Sequence, residues 1–235
     1  MGNSIMYFLH TPIIWEQFPQ LVPGMMVVEN VRPDVEVDRL LPPLYQHARA
    51  RLSQASEGQM PEVSAWRRVY SQMGLKPTKY RSAAEALLRR FRKEDDLPSL
   101  HPLVDLCNAV SIAFALPVAV IDVDQVASFL EVRPAVGTEK YLAFSGEIET
   151  PPAGEIIFAD ATDEVHARRW TFRQSRRSTV SAETSRVLIV SEAMHETAQA
   201  NMKALMETLI SGLSELYEPP QKQTILTPDA PRFEF

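Results

Sequence analysis

The chain has 235 residues, 45% hydrophobic and 23% charged, with a formal net charge of −6. That length can bury a real core in one large domain or two small ones. The acidic balance argues against nucleic-acid binding through overall charge, although a local basic patch stays open. A single cysteine, Cys107, excludes an intrachain disulfide framework and fits a reducing compartment. No apolar run reaches the ~18 residues of a membrane span, and the start lacks the basic and apolar regions of a signal peptide. Met1-Gly2 is followed by Met6 where a myristoylation signal needs Ser or Thr. A soluble cytoplasmic protein is expected.

In chain order, Met25-Met26-Val27-Val28 suits a strand, with Pro19 and Pro23-Gly24 punctuating its approach. Residues from Val37 to about Ser53 read as helical, with a break or fresh start at Pro42-Pro43. Ser56-Glu57-Gly58 marks a loop, and a helix from Val63 to Met73 is expected to stop near Gly74. Ser82-Ala83-Ala84-Glu85 has the capping-box pattern, in which Ser82 accepts from the Glu85 amide and Glu85 reaches back. The helix it opens turns Leu87, Leu88 and Phe91 inward and Arg89, Arg90, Arg92 and Lys93 mostly outward. Pro102 suits the first turn of the next helix.

Beyond Pro117, Val118–Val123 is a buried strand by length and branching. Shorter strand candidates follow near residues 130–133, 141–144, 156–159, 166–172 and 187–190. From about Glu192 to Tyr217, the residues Met194, Ala198, Met202, Leu205, Leu209, Leu213 and Leu216 recur at helical spacing. That stripe is core packing rather than a cofactor box. Residues 218–235 hold four prolines and no periodicity, so an extended tail is expected after a single domain over 1–217. Helices and strands run in blocks, which makes the class α+β.

The stretch Leu97–Ser111 carries Asp105, Asn108 and Ser111 three residues apart on one helix. At ~100° per residue they fan over roughly a third of its circumference, opposite an apolar stripe of Leu106, Val110, Ala113 and Phe114. Such a face either lines a pocket or forms a polar seam tied to neighbouring backbone. The five histidines share no metal-ligand spacing, and neither GxGxxG nor GxxxxGK[ST] occurs, so no metal or cofactor is expected. Cys107 projects to the apolar side of its helix and reads as buried rather than nucleophilic. Read as a strand, His166–Phe172 puts Trp170 and Phe172 on one face and Arg169 and Thr171, with Arg173 beyond, on the other. Five arginines between Arg168 and Arg177, with Arg89, Arg90, Arg92 and Lys93, make two basic clusters. These suit a phosphate backbone, or they are solvated faces paired with local acids.

The order of several segments resembles the B3/B4 domain of the phenylalanyl-tRNA synthetase beta subunit, in its free-standing form. They include Trp66-Arg67-Arg68 to Tyr70, Lys79-Tyr80-Arg81-Ser82 with Glu85-Ala86-Leu87-Leu88-Arg89-Arg90, and Leu97-Pro98-Ser99. The likeness continues through Leu103–Ser111, Leu116-Pro117-Val118, Asp122-Val123-Asp124, Val132-Arg133-Pro134-Ala135 with Gly137, Gly154-Glu155-Ile156-Ile157, Arg169–Gln174 and Thr184. It covers about Trp66 to Glu192. The resemblance implies an α+β fold of mixed and antiparallel sheets, with helices packed around a central cleft. In the synthetase that cleft receives the 3′ end of a tRNA bearing a wrong amino acid, chiefly tyrosine, and hydrolyses the ester. The chain departs from the bacterial beta subunits at two cleft positions: Ala119 stands for a histidine and Val190 for a glutamate that recognises the tyrosine hydroxyl, with Glu192 two residues on along the same strand face.

By this resemblance the chain is expected to bind aminoacyl-tRNA and to hydrolyse mischarged esters in trans. Asn108 and Ser111 would serve catalysis, Asp105, Thr171 and Glu192 the substrate, and Arg89, Arg90, Arg169 and Arg173 the tRNA. The rival expectation is a non-catalytic module on the same fold that binds tRNA, an amino acid or a nucleoside-like ligand.

Overall fold

The structure, a computed structural model, describes residues 5–235; the Met1-Gly2 start lies outside the described residues. The chain runs β1 (Tyr7–His10), α1 (Pro12–Gln17), β2 (Val22–Val28), α2 (Leu41–Gln54), α3 (Pro61–Gln72), α4 (Ala83–Glu94) and α5 (Pro102–Phe114). The strands β3 (Val118–Asp122), β4 (Phe129–Pro134), β5 (Lys140–Leu142), β6 (Ile148–Glu149), β7 (Ile156–Asp160), β8 (Glu164–Arg168), β9 (Arg173–Gln174) and β10 (Val187–Ala193) follow. The last elements are α6 (Ala198–Leu216), β11 (Lys222–Ile225) and β12 (Arg232–Glu234). One sheet has the order β11-β2-β10-β3; the larger one runs β12-β1-β4-β7-β8-β5-β6, with β9 added on β8. The smaller sheet is antiparallel throughout, whereas β1–β4 and β5–β8 pair in parallel. This is the mixed α+β architecture expected.

Why Met25–Val28 and Val187–Val190 are continuously apolar follows from the layering. Alternate side chains of a strand point to opposite faces, and both faces of the smaller sheet are covered. Met25, Val27, Leu188 and Val190 pack with Phe8, Val132 and Phe158 of the larger sheet. Met26, Val28, Val187 and Ile189 pack instead with Cys107 and Val110 of α5 and Met202, Leu205 and Leu209 of α6. The smaller sheet is therefore the middle layer of three. A further cluster of Ala48, Val63, Leu88, Phe91 and Ile112 ties α2, α3 and α4 to the far side of α5.

Four local expectations change. The helix near Pro42-Pro43 is unbroken, because both prolines sit in its first turn, where the missing N–H has no intrahelical partner to lose. Ser82 caps α4 by accepting from the Glu85 amide at 3.3 Å, but the Glu85 carboxylate does not reach back. It is buried and accepts from Nη2 and Nε on one edge of the Arg67 guanidinium, at 2.6 and 3.1 Å. The chain after Val190 stays extended to Ala193, because β10 is paired on both sides over most of its length, so α6 begins only at Ala198. Residues 218–235 are extended, yet they are not a separate tail: β11 pairs with β2 and β12 with β1. Leu226, Phe233 and Phe235 enter the core between the sheets, while Pro228 and Pro231 fall between the strands, where no ladder hydrogen bond is lost.

Candidate functional site

The site begins where β8 ends. Arg169 (φ 48°) and Trp170 (φ 61°) adopt consecutive left-handed conformations, each costing a non-glycine residue about 1–2 kcal/mol. The strand therefore stops at Arg168, and Trp170 and Phe172 do not share a strand face as the alternation suggested; the chain turns and returns as β9. Four bonds hold the turn. The Trp170 amide donates to the Ile156 carbonyl (2.8 Å), the Ala83 amide at the start of α4 donates to the Thr171 carbonyl (2.7 Å), the Tyr70 and Thr171 hydroxyls meet at 3.1 Å, and Trp170 Nε1 donates to Glu192 Oε1 (2.8 Å). The Trp170 ring meets Trp66 and Phe18 edge-on, with centroids 5.3 and 5.0 Å away. Burial pushes the Tyr70 hydroxyl far above its ordinary pKa, so it stays protonated.

This turn rims a cleft of about 70 Å³ at the open end of the core between the two sheets. Pro117, Val118 and Ala119 line one side with Val190 and Glu192; Phe158, Ala167 and residues 170–174 line the other, with Ala83 at the edge. Ala119 and Val190 are direct partners in the β3–β10 register. Glu192 is buried, and His10 Nε2 (2.5 Å) and Trp170 Nε1 (2.8 Å) both engage its Oε1. Trp66 Nε1 donates to its backbone carbonyl at 3.2 Å. Among the described residues no hydrogen bond reaches Oε2. Three elements thus aim one carboxylate at the cleft, with one oxygen committed and one available.

The expected site residues divide. Thr171, Arg173 and Glu192 line the cleft together. Asp105 lies elsewhere, accepting from the Ser99 hydroxyl and the Leu100 amide, both at 2.9 Å, and so fastening the entry to α5. Ser111 is fully buried and donates to the Leu116 carbonyl at 2.6 Å, closing the exit of α5. Asn108 is half-buried and lines no part of the cleft. The polar face of α5 is spent largely on the helix's own ends. Each arginine of the two basic clusters named for tRNA has an acidic neighbour: Arg89 bonds Glu57 (2.9 Å), Arg90 bonds Glu94 (2.9 Å), Arg169 approaches Glu155 (3.5 Å) and Arg173 approaches Glu149 (3.7 Å). Arg169 also lies over the Tyr80 ring, 4.6 Å from its centroid.

Burial pushes the Cys107 thiol up to about 12, so it carries no thiolate at neutral pH and offers no nucleophile. Among the described residues no group of three or more His, Cys, Asp or Glu is placed to hold a metal, and no helix is long and apolar enough to cross a membrane. His10 and Trp66 were not legible as site residues. His10 ends a four-residue strand with no motif around it, and its role depends on a contact 182 residues away in sequence.

A mixed-sheet α+β domain with a cleft opening between its sheets is thus the class of protein defined here. The B3/4 domain family matches residues 65–219, and the chain belongs to that family. No curated protein matches the chain. Among solved structures, an N-terminal fragment of the phenylalanyl-tRNA synthetase beta subunit from Pyrococcus horikoshii is similar, with a TM-score of 0.47 and 11% identity. That match covers 100% of this chain and 54% of the solved one, so the chain spans about half of its length.

Proposed function

We propose that the cleft receives the aminoacylated 3′ end of a tRNA and that the chain hydrolyses mischarged esters in trans. The observation that carries this reading is Glu192: a buried carboxylate fixed through Oε1, with Oε2 left to accept from a cationic or N–H group in the cleft. The α-ammonium of an aminoacyl ester is such a group. Aminoacyl esters are already activated, so hydrolysis needs a positioned water and a stabilised oxyanion rather than a protein nucleophile. On this reading the Thr171 hydroxyl, bonded to Tyr70 and lining the cleft, holds that water or the terminal ribose. Arg173, also at the rim, adds positive charge for the RNA backbone, and Arg169, Arg89 and Arg90 lie further out. Asp105, Asn108 and Ser111 act only through the fold on this reading.

One observation favours the non-catalytic alternative. Among the described residues Glu192 is the only carboxylate in the lining, and one of its oxygens is already engaged. A panel of correctly and wrongly charged tRNAs, incubated with the purified chain and with buffer alone, separates the two. Selective release of one or a few amino acids is expected. Rates equal to buffer across the panel would overturn the deacylase reading.

A further inference from the structure

We infer that the side chain this cleft accepts is aliphatic and small, of no more than about four carbons. The inference rests on the reading of the cleft as an aminoacyl site and adds its substrate class. Ala119 and Val190 face each other across β3 and β10, and Phe158 and Ala167 of the other sheet complete the wall. None of these four side chains has a polar atom. The other polar side chains of the lining, Thr171, Arg173 and Gln174, belong to the turn at the rim and are anchored to protein groups there. Gln174 Nε2 donates to the Val120 and Ser178 carbonyls (2.7 and 3.2 Å), the Thr171 hydroxyl meets Tyr70, and Arg173 approaches Glu149.

Glu192 Oε2 lies beside the apolar wall, and an α-ammonium uses it. A second polar group, such as a phenol hydroxyl against Ala119 and Val190, would be stripped of water with no partner. Size points the same way. An apolar cavity of about 150 Å³ takes up one benzene ring, so a volume of about 70 Å³ is about half of what an aromatic ring needs. A side chain of three or four carbons fills that space, with the α-ammonium on Glu192 at its wall. A tyrosyl side chain alone brings more.

The test uses the whole chain and 3′-amino-3′-deoxyadenosine acylated with alanine, valine or tyrosine, whose amide bond resists hydrolysis, titrated by calorimetry. The valyl amide is expected to bind at least about tenfold more tightly than the tyrosyl amide, the scale on which pocket size discriminates. Ala119→Leu, on the edge strand β3, fills the cleft and is expected to lower valyl affinity at least about tenfold with an unchanged melting temperature. Tyrosyl affinity equal to or above valyl affinity, or an indifferent Ala119→Leu, would overturn the inference and leave the aminoacyl site standing. If none of the three amides binds, the aminoacyl site itself fails and takes the inference with it.

Discussion

Replacing Glu192 with Gln is expected to leave the fold intact and to cut deacylation efficiency by about 10- to 100-fold, because a hydrogen bond to a charged group contributes about 1.5–3 kcal/mol. The amide oxygen still accepts from Trp170 Nε1, so the anchoring survives while the negative charge is lost. The decisive readout is the substrate. An N-acetylated aminoacyl-tRNA has no ammonium, so its kcat/KM is expected to be poor with the unaltered chain and to change little on substitution. Equal loss for free and acetylated substrates would show that Glu192 acts through packing alone. Glu192→Leu is a different experiment: it leaves Trp170 Nε1 and His10 Nε2 buried without their acceptor, at about 1–3 kcal/mol each.

The largest stability effect is expected at the other end of the chain. Ending the protein at Tyr217 removes β11 and β12 and uncovers both sheets, because Leu226, Phe233 and Phe235 leave the shared core. Fully burying a side chain of this kind contributes about 1.5–3 kcal/mol, so the three together amount to roughly 5 kcal/mol or more. That is comparable to the whole stability of many domains. At about 2–4 °C per kcal/mol for a chain of this size, the truncated protein is expected to melt at least about 10 °C lower or to lose its cooperative transition. It is also expected to lose ligand affinity, since β12 covers β1 and β1 carries His10. An unchanged melting curve would mean that residues 218–235 are an appendage after all.

How much was legible in the sequence depends on how local each cause is. The helices of the middle of the chain, the strands of the smaller sheet and the α+β class follow from periodicity and apolar runs, which are local. Glu192 was legible for a related reason: two residues from Val190 on a strand puts both on one face. The turn after Arg168 was not legible, because neither Arg169 nor Trp170 favours a left-handed backbone, and the groups that hold them there come from Ile156, Ala83 and Glu192. The helix face of Asp105 and Ser111 shows the limit most plainly. Polar residues on a helix reveal that something polar meets them, but whether it is a ligand or the Leu100 amide and Leu116 carbonyl is a tertiary fact. The two terminal strands were missed because short edge strands carry too little alternation, and four prolines mask what there is.

The central claim, that the aminoacyl end of a tRNA enters the opening between the sheets, is tested most directly by photo-crosslinking. A tRNA charged through a non-hydrolysable 3′-amide with a diazirine-bearing aliphatic amino acid would be irradiated with the intact chain and the linked peptides mapped. Crosslinks concentrated in residues 117–119, 158–174 and 190–192, competed away by the valyl amide, are the predicted result. Crosslinks that fall instead on the surface groove lined by Leu44 of α2 and Ala204 and Thr208 of α6, or that scatter over the surface without competition, would contradict the account.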